Sequence, residues 1–210
     1  MLTRLLHLAV LGSGRGSNFG AILEAMHGGT LPGVRVSLVM SNNSGAGILE
    51  TARTHGIPAL HLSRASCGGE QELWDRTLRE LASREIDLVI LAGYMKKLPP
   101  RLVEAYRGRI LNIHPALLPR FGGEGMYGIR VHEAVLASGE KFSGATVHVV
   151  DESYDHGPVL LQRTVPVLPQ DTPETLASRV LEAEHLLYPE AIRMAAQRLA
   201  AGCEAASGPT

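Results

Sequence analysis

The chain is poor in cysteine, in surplus charge and in long apolar runs, and each shortage removes a class of protein. Two cysteines in 210 residues, Cys67 and Cys203, are too few for a disulfide framework or a thiolate metal cluster. Both are expected to be free thiols, as in a reducing cytosol. Twenty Lys and Arg against 21 Asp and Glu leave a net charge of −1. That balance offers no general surface for nucleic acid or for a polybasic membrane contact. It still permits one small anionic ligand held by local groups. No run approaches the ~18 apolar residues of a membrane span. The stretch Leu5–Leu11 is short, contains His7 and leads into a glycine-rich turn, unlike a secretion signal. A cytoplasmic protein is expected, with no nucleic-acid or membrane partner. Nor do His132, His156 and His185 fall at metal-ligand spacing, so no metal is expected.

What is present is a well-supplied core, 45% hydrophobic, in a length that suits one domain. That domain is taken as residues 1–200, followed by a small-residue tail over 201–210. Short runs rich in Val, Leu and Ile read as strands buried on both faces. They are Leu5–Leu11, Val34–Met40, Ile86–Ala92, Ile110–Ile113, Thr146–Val150 and Val159–Val167, with Pro58–Leu62 as a weaker one. Helical stretches lie between the earlier runs, at Asn18–His27, Gly47–His55, Glu70–Arg84 and Pro100–Tyr106. The alternation predicts an α/β, doubly wound, mostly parallel sheet. After Asn112 the rhythm changes. A Pro- and Gly-rich loop over 115–128 precedes a helix at Ile129–Ser138, and the two final strands read as antiparallel additions in the C-terminal half. Asp171-Thr172-Pro173-Glu174 opens the last helix with an N-cap and a first-turn proline. Pro189 is expected to interrupt or kink it.

Two places carry candidate chemistry. The first is the turn Gly12-Ser13-Gly14-Arg15-Gly16-Ser17-Asn18, between the first strand and the first helix. A glycine-rich turn lets backbone approach a ligand, and a helix N-terminus favours a phosphate. The spacing is neither the dinucleotide nor the triphosphate pattern. A plain connecting turn, with Ser17 or Asn18 as a simple N-cap, stays equally open. The second place is Asn112-Ile113-His114 at a strand end. Period-two geometry puts the amide and the imidazole on one face, where α/β sheets bind ligands. Such a pair suits a reaction in which a carbonyl oxygen gains negative charge. A carboxylate beside His114 would raise its pKa and orient it. Asp155 is the candidate, with Asp151 and Glu152 still open. His148 either lines the same pocket or is a core histidine bonded to backbone.

Together these residues resemble the glycinamide ribonucleotide formyltransferase family. The resemblance runs through Val10–Asn18, Leu91–Met95, Leu111–Pro119, Gly144–His148, Asp155–Val159 and Glu184-His185 before Tyr188-Pro189. It implies a Rossmann-like formyltransferase fold and 10-formyltetrahydrofolate as co-substrate, with the amine of glycinamide ribonucleotide as acceptor. It selects Asp155 to complete a catalytic trio with Asn112 and His114. Gly16, Ser17 and Asn18 would hold the substrate phosphate, and Glu184 its glycinamide or ribose end. Met95, Lys96, Lys97 and Leu98 would line the folate pocket with Asn112, His148, Asp151, Glu152, Ser153, Tyr154 and Asp155. The partners implied are small molecules, for a monomer or homodimer. Two departures stand out. Gln71 occupies a position that is often an arginine for the folate glutamate tail, and the loop Phe121–Gly128 is several residues longer than usual. That loop would alter the substrate entrance or serve only a conformational role. Rival readings carry other expectations. Methionyl-tRNA formyltransferase would need a further C-terminal domain, and formyltetrahydrofolate hydrolase an N-terminal regulatory one. A non-catalytic nucleotide-binding module would have no use for the paired amide and imidazole.

Overall fold

The structure is a computed structural model that describes residues 4–202. Cys203 and the rest of the expected tail beyond Gly202 lie outside the described residues. Among the described residues seven strands form one sheet: β1 (Leu6–Leu11), β2 (Val34–Ser41), β3 (Ala59–His61), β4 (Leu88–Leu91), β5 (Ile110–His114), β6 (Phe142–Val149) and β7 (Val159–Pro166). Their order is β3-β2-β1-β4-β5-β6-β7. The first five are parallel, β6 runs antiparallel to β5, and β7 antiparallel to β6. The doubly wound sheet with antiparallel additions is as the sequence predicts. The order reverses between β1 and β4, which opens a crevice at the carboxyl ends of the strands.

Six helices among the described residues cover the sheet: α1 (Ser17–His27), α2 (Gly47–Thr54), α3 (Glu70–Ser83), α4 (Pro100–Ala105), α5 (Ile129–Ala137) and α6 (Pro173–Ala200). Strand alternation divides the core between the two faces. Leu6, Leu8 and Val10 of β1 pack in one cluster with Phe19 and Ile22 of α1, while Ala9 and Leu11 pack in the other with Trp74 of α3 and Leu102 of α4. Each large aliphatic side chain so buried contributes roughly 1.5–3 kcal/mol. The same alternation governs β5. Leu111 and Ile113 join the first cluster and Ile110 the second, so Asn112 and His114 share the Ile110 face.

The expected start of the last helix is borne out, and one expectation about its course needs correction. Its N-cap is Thr172, which forms a capping box with Thr175, while Asp171 sits outside and accepts from Leu168 N and both Arg179 terminal nitrogens. Pro189 does not interrupt α6, which is continuous to Ala200. Proline removes one backbone hydrogen bond. The residues around it, Leu187, Tyr188, Ala191 and Ile192, are at most 2% exposed, and this packing outweighs the loss. Tyr188 also ties α6 to the site's platform. Its hydroxyl lies 2.9 and 3.0 Å from the carbonyl oxygens of Leu91, the last residue of β4, and Leu111, within β5 just before Asn112.

Candidate active site

The glycine-rich turn is shaped by a close approach. Gly16 has φ 83°, and a Cβ there would sit 2.8 Å from Ile48 Cβ, so no side chain fits. Neither Ser17 nor Asn18 caps α1, since Gly16 stands at the cap without a side-chain bond. Asn18 instead reaches across to α6, where its Nδ2 donates to Glu184 Oε2 at 2.7 Å. Its buried Oδ1 has no partner. Burial raises the Glu184 carboxyl to about 7, against the opposing pull of Asn18. Among Gly16, Ser17 and Asn18, only Asn18 lines the large cleft described below.

At the end of β5 the antiparallel register completes what alternation began. Asn112 stands opposite His148, and His114 opposite Thr146, so all four face one side. Asn112 Nδ2 lies 3.1 Å from His148 Nε2. His148 Nδ1 lies 3.1 Å from Val149 O, and the ring nitrogen that carries the proton sets the direction of these contacts. His148 therefore lines the pocket and also bonds backbone, and both readings made from the sequence apply.

The loop after β6 brings one carboxylate to this cluster, and it is Asp155. Its Oδ2 lies 3.4 Å from His114 Nδ1 and accepts from Gly123 N at 2.9 Å. Its Oδ1 lies 3.5 Å from both Asn112 Nδ2 and His148 Nε2. Asp155 holds a left-handed φ of 56°, a conformation Asp tolerates better than most residues. Burial alone would raise its pKa. Hydrogen bonding to His148, the charge of His114 and the Gly123 amide outweigh this and leave the carboxyl below its usual range.

His114 departs from expectation. Burial, the largest influence, lowers its pKa below the ordinary imidazole value, and Asp155 with the Phe121 carbonyl only partly offsets this. Its Nε2 donates to Phe121 O at 2.7 Å while Nδ1 faces Asp155. Both ring nitrogens thus meet oxygens that only accept, an arrangement that imidazolium alone satisfies fully. The ring has two partners prepared for a proton that burial makes costly to hold. Negative charge developing in the cleft would tip that balance.

The long loop is consequently part of the site. Phe121, itself at φ 58°, offers its carbonyl to His114, and Gly123 offers its amide to Asp155. A Cβ on Gly122 would lie 3.1 Å from Asp155 Cβ and 2.5 Å from Leu118 Cδ2. Sequence reasoning missed these backbone contributions, which leave no mark in residue type. It also missed Thr146, whose hydroxyl donates to Ala116 O at 2.6 Å and accepts from Leu118 N at 3.1 Å. Gln162 Nε2 steadies the same loop at 2.9 Å from Leu118 O. Period-two counting back from His148 could have flagged Thr146.

Two cavities meet at the trio. The larger, about 540 Å³, brings Asn18 and Glu184 together with Asn112, His114 and Asp155, and Met95 and Lys96 line it too. Tyr127 of the long loop and Arg130 of α5 extend its wall. The smaller, about 80 Å³, is lined by Asn112, His148 and the whole segment Asp151–Asp155, with Lys96, Lys97 and Leu98 opposite. Leu91, Tyr94 and Val150 complete it and were not anticipated. Burial raises the Tyr94 hydroxyl to about 12, so it stays a donor. Ser13 braces this wall, since its hydroxyl accepts from Met95 N at 2.9 Å and donates to Asn42 Oδ1 at 2.5 Å. Ser17 is exposed and Gly16 half-buried, both away from these linings. Among the described residues no group of His, Cys, Asp and Glu could hold a metal ion, and no helix is long and apolar enough to cross a membrane.

Comparison with known proteins gives the family. Residues 6–192 match the family described as formyl transferase. Chloroplastic phosphoribosylglycinamide formyltransferase of Vigna unguiculata is 49% identical over 189 residues, 88% of this chain and 59% of that protein. The chain spans 59% and 63% of the two chloroplast relatives from Vigna unguiculata and Arabidopsis thaliana. Phosphoribosylglycinamide formyltransferase of Escherichia coli (strain K12) is 40% identical over 185 residues, 88% of this chain and 84% of that protein. Among solved structures, glycinamide ribonucleotide transformylase 1 from Symbiobacterium toebii superposes with a TM-score of 0.85 at 41% identity, covering 92% of this chain and 88% of that one. A formyltetrahydrofolate deformylase from Pseudomonas syringae reaches 0.82 at 25% identity, covering 93% and 62%. A strand-end amide and imidazole, a carboxylate delivered by the next loop, a family match over residues 6–192 and relatives that this chain covers to 84% and 88% of their length lead to one assignment: the chain belongs to the phosphoribosylglycinamide formyltransferase family of formyl transferases.

Proposed function

We propose that the protein transfers the formyl group of 10-formyltetrahydrofolate to the amine of glycinamide ribonucleotide, a step of purine synthesis. The observation that carries this reading is the convergence of Asn112, His114 and Asp155 on a cleft that also holds Asn18 and Glu184. The amine attacks the formyl carbon, forming a new N–C bond and a tetrahedral oxyanion. Asn112 stabilises that oxygen by donation, and the protonated form of His114 does so by its charge and, once Nε2 turns from the Phe121 carbonyl, by donation. Asp155 holds and orients the imidazole and helps carry a proton from the attacking amine to the folate nitrogen as its bond to the formyl carbon breaks. The products are formylglycinamide ribonucleotide and tetrahydrofolate. No covalent enzyme intermediate is needed.

On this reading the smaller cavity takes the pterin end of the folate, between Lys96–Leu98 and Asp151–Asp155. The larger takes the acceptor, whose polar groups meet Asn18 and Glu184 and whose phosphate lies toward the Gly16–Asn18 turn. Both partners are small molecules, and a cytoplasmic monomer or homodimer fits the modest net charge. The likeness to a deformylase supports a second reading, in which water replaces the amine. The roughly 540 Å³ cleft with its Asn18–Glu184 pair favours the transferase, since water has no use for that volume. Formyl release from 10-formyltetrahydrofolate, measured with and without glycinamide ribonucleotide, separates the two. Release that requires the amine is expected, and equal release without it would establish the hydrolase.

A further inference from the structure

The smaller cavity at the trio adjoins a second one of about 450 Å³, lined by Glu70, Trp74, Lys97, Leu98, Pro99, Pro100 and Glu152. The two share Lys97, Leu98 and Glu152 as a common wall. An elongated ligand with its reacting end at Asn112 and Asp155 would therefore lay its far end against Trp74 and the Leu98–Pro100 segment.

The charges along this groove are lopsided. Lys97 is the one cation of the outer cavity, set against Glu70 and Glu152. In the inner cavity Lys96 and Lys97 face Asp151, Glu152 and Asp155. Lys97 is further engaged over the Tyr154 ring, 5.2 Å from its centre. The neighbouring guanidinium of Arg101 is held by Asp75 and by the Gln71 carbonyl. Gln71 itself, with its amide turned to Asp75 at 3.2 Å, lies off the groove's lining. The positive end of α3 is also taken, because its first turn carries Glu70 and Glu72. A second opening beside the inner cavity is no more cationic. It offers Arg107, paired with Glu104, against Asp151 and Glu152.

We propose that this groove receives a folate donor in its short, monoglutamyl form and draws no binding gain from further γ-linked glutamates. Each added glutamate brings one more carboxylate into a channel where carboxylates already outnumber ammonium groups, and like charges there repel. The inference rests on the function proposed above and refines it to a donor class.

Direct titration calorimetry of the full chain with 10-formylfolate, as the monoglutamate and as the tetraglutamate, tests it without depending on turnover. The tetraglutamate is expected to bind no more tightly than the monoglutamate, with the two affinities converging as salt is raised. Glu70→Lys reverses one charge at the outer cavity. It is expected to strengthen tetraglutamate binding roughly three- to tenfold, and the monoglutamate less. Tetraglutamate binding several-fold tighter than monoglutamate binding in the unaltered protein would overturn the inference. An unchanged ratio in Glu70→Lys would overturn the route through this groove. Formyl transfer with normal donor binding but no such charge dependence would leave the proposed function standing and this refinement rejected. Failure of both forms to bind would reject the two together.

Discussion

Asp155 and Glu184 are both carboxylates withdrawn from water beside the same cleft, yet their surroundings drive them in opposite directions. Asp155 gives up solvent and gains His114, His148 and the Gly123 amide, so it falls below the usual carboxylate range despite burial. Glu184 gives up solvent and gains one amide from Asn18, so burial wins and it rises to about 7. The contrast illustrates how number and charge of partners decide ionisation once a group is buried. On the proposed function it would also divide labour. An ionised Asp155 can hold and move a proton at the reacting end. A Glu184 poised near neutrality can accept from or donate to a neutral polar substrate at little cost in charge.

A large effect should come at the oxyanion end, which lies on the Asp155 side of this comparison. Asn112→Ala is expected to lower kcat by ~100–1,000-fold while the folding transition stays near that of the parent. Rapid-quench measurement of formyl transfer checks it, and a loss below about threefold would remove Asn112 from the proposed mechanism.

Next is the cost of burying Glu184. Between pH 4.5 and about 7 the unfolded chain ionises this group while the folded chain keeps it protonated. Stability attached to it is therefore present below pH 4.5 and lost as pH rises through about 7. The shift corresponds to an order of 3 kcal/mol. Glu184→Gln should unfold at higher denaturant concentration than the parent at pH 8, with the gap closing at pH 4. A gap independent of pH would show that Glu184 is not the titrating group.

A smaller effect is expected at Thr146, which supports the trio without touching a reacting atom. Thr146→Val leaves Leu118 N and the Ala116 carbonyl short of a partner, for a destabilisation of roughly 1–3 kcal/mol. Denaturant titration measures it. Last, NMR titration of His114 should give a midpoint below the ordinary imidazole value, and Asp155→Asn should lower it further, because Asp155 is among the groups that pull it up. A rise in Asp155→Asn would contradict the pairing.

Much of the architecture was legible because it follows from periodicity. The runs Val34–Met40 and Val159–Val167 differ from β2 and β7 by one residue at one end. The early part of β6 was missed because Ser143 and Gly144 break its apolar run, although its pairing with β7 extends back to Phe142 opposite Pro166. Pro189 misled because a local rule was weighed without the buried residues that hold α6 together. In the site, Asn112 and His114 could be read from two-residue spacing. Asp155 could not be told from Asp151 or Glu152 without the family resemblance, since which carboxylate of a loop turns inward depends on its φ of 56° and on Gly123 across the gap. The expected rise of the His114 pKa failed for a related reason. A charged neighbour can be guessed from sequence, but the depth of burial opposing it cannot.

The division of labour between the two carboxylates is tested most directly by steady-state kinetics of Asp155→Asn and Glu184→Gln, with glycinamide ribonucleotide as the varied substrate. Asp155→Asn should lower kcat by ~100–10,000-fold with little change in the acceptor KM. Glu184→Gln should raise the acceptor KM by roughly tenfold with kcat nearly kept. The reverse pattern, or a normal kcat in Asp155→Asn, would contradict the account.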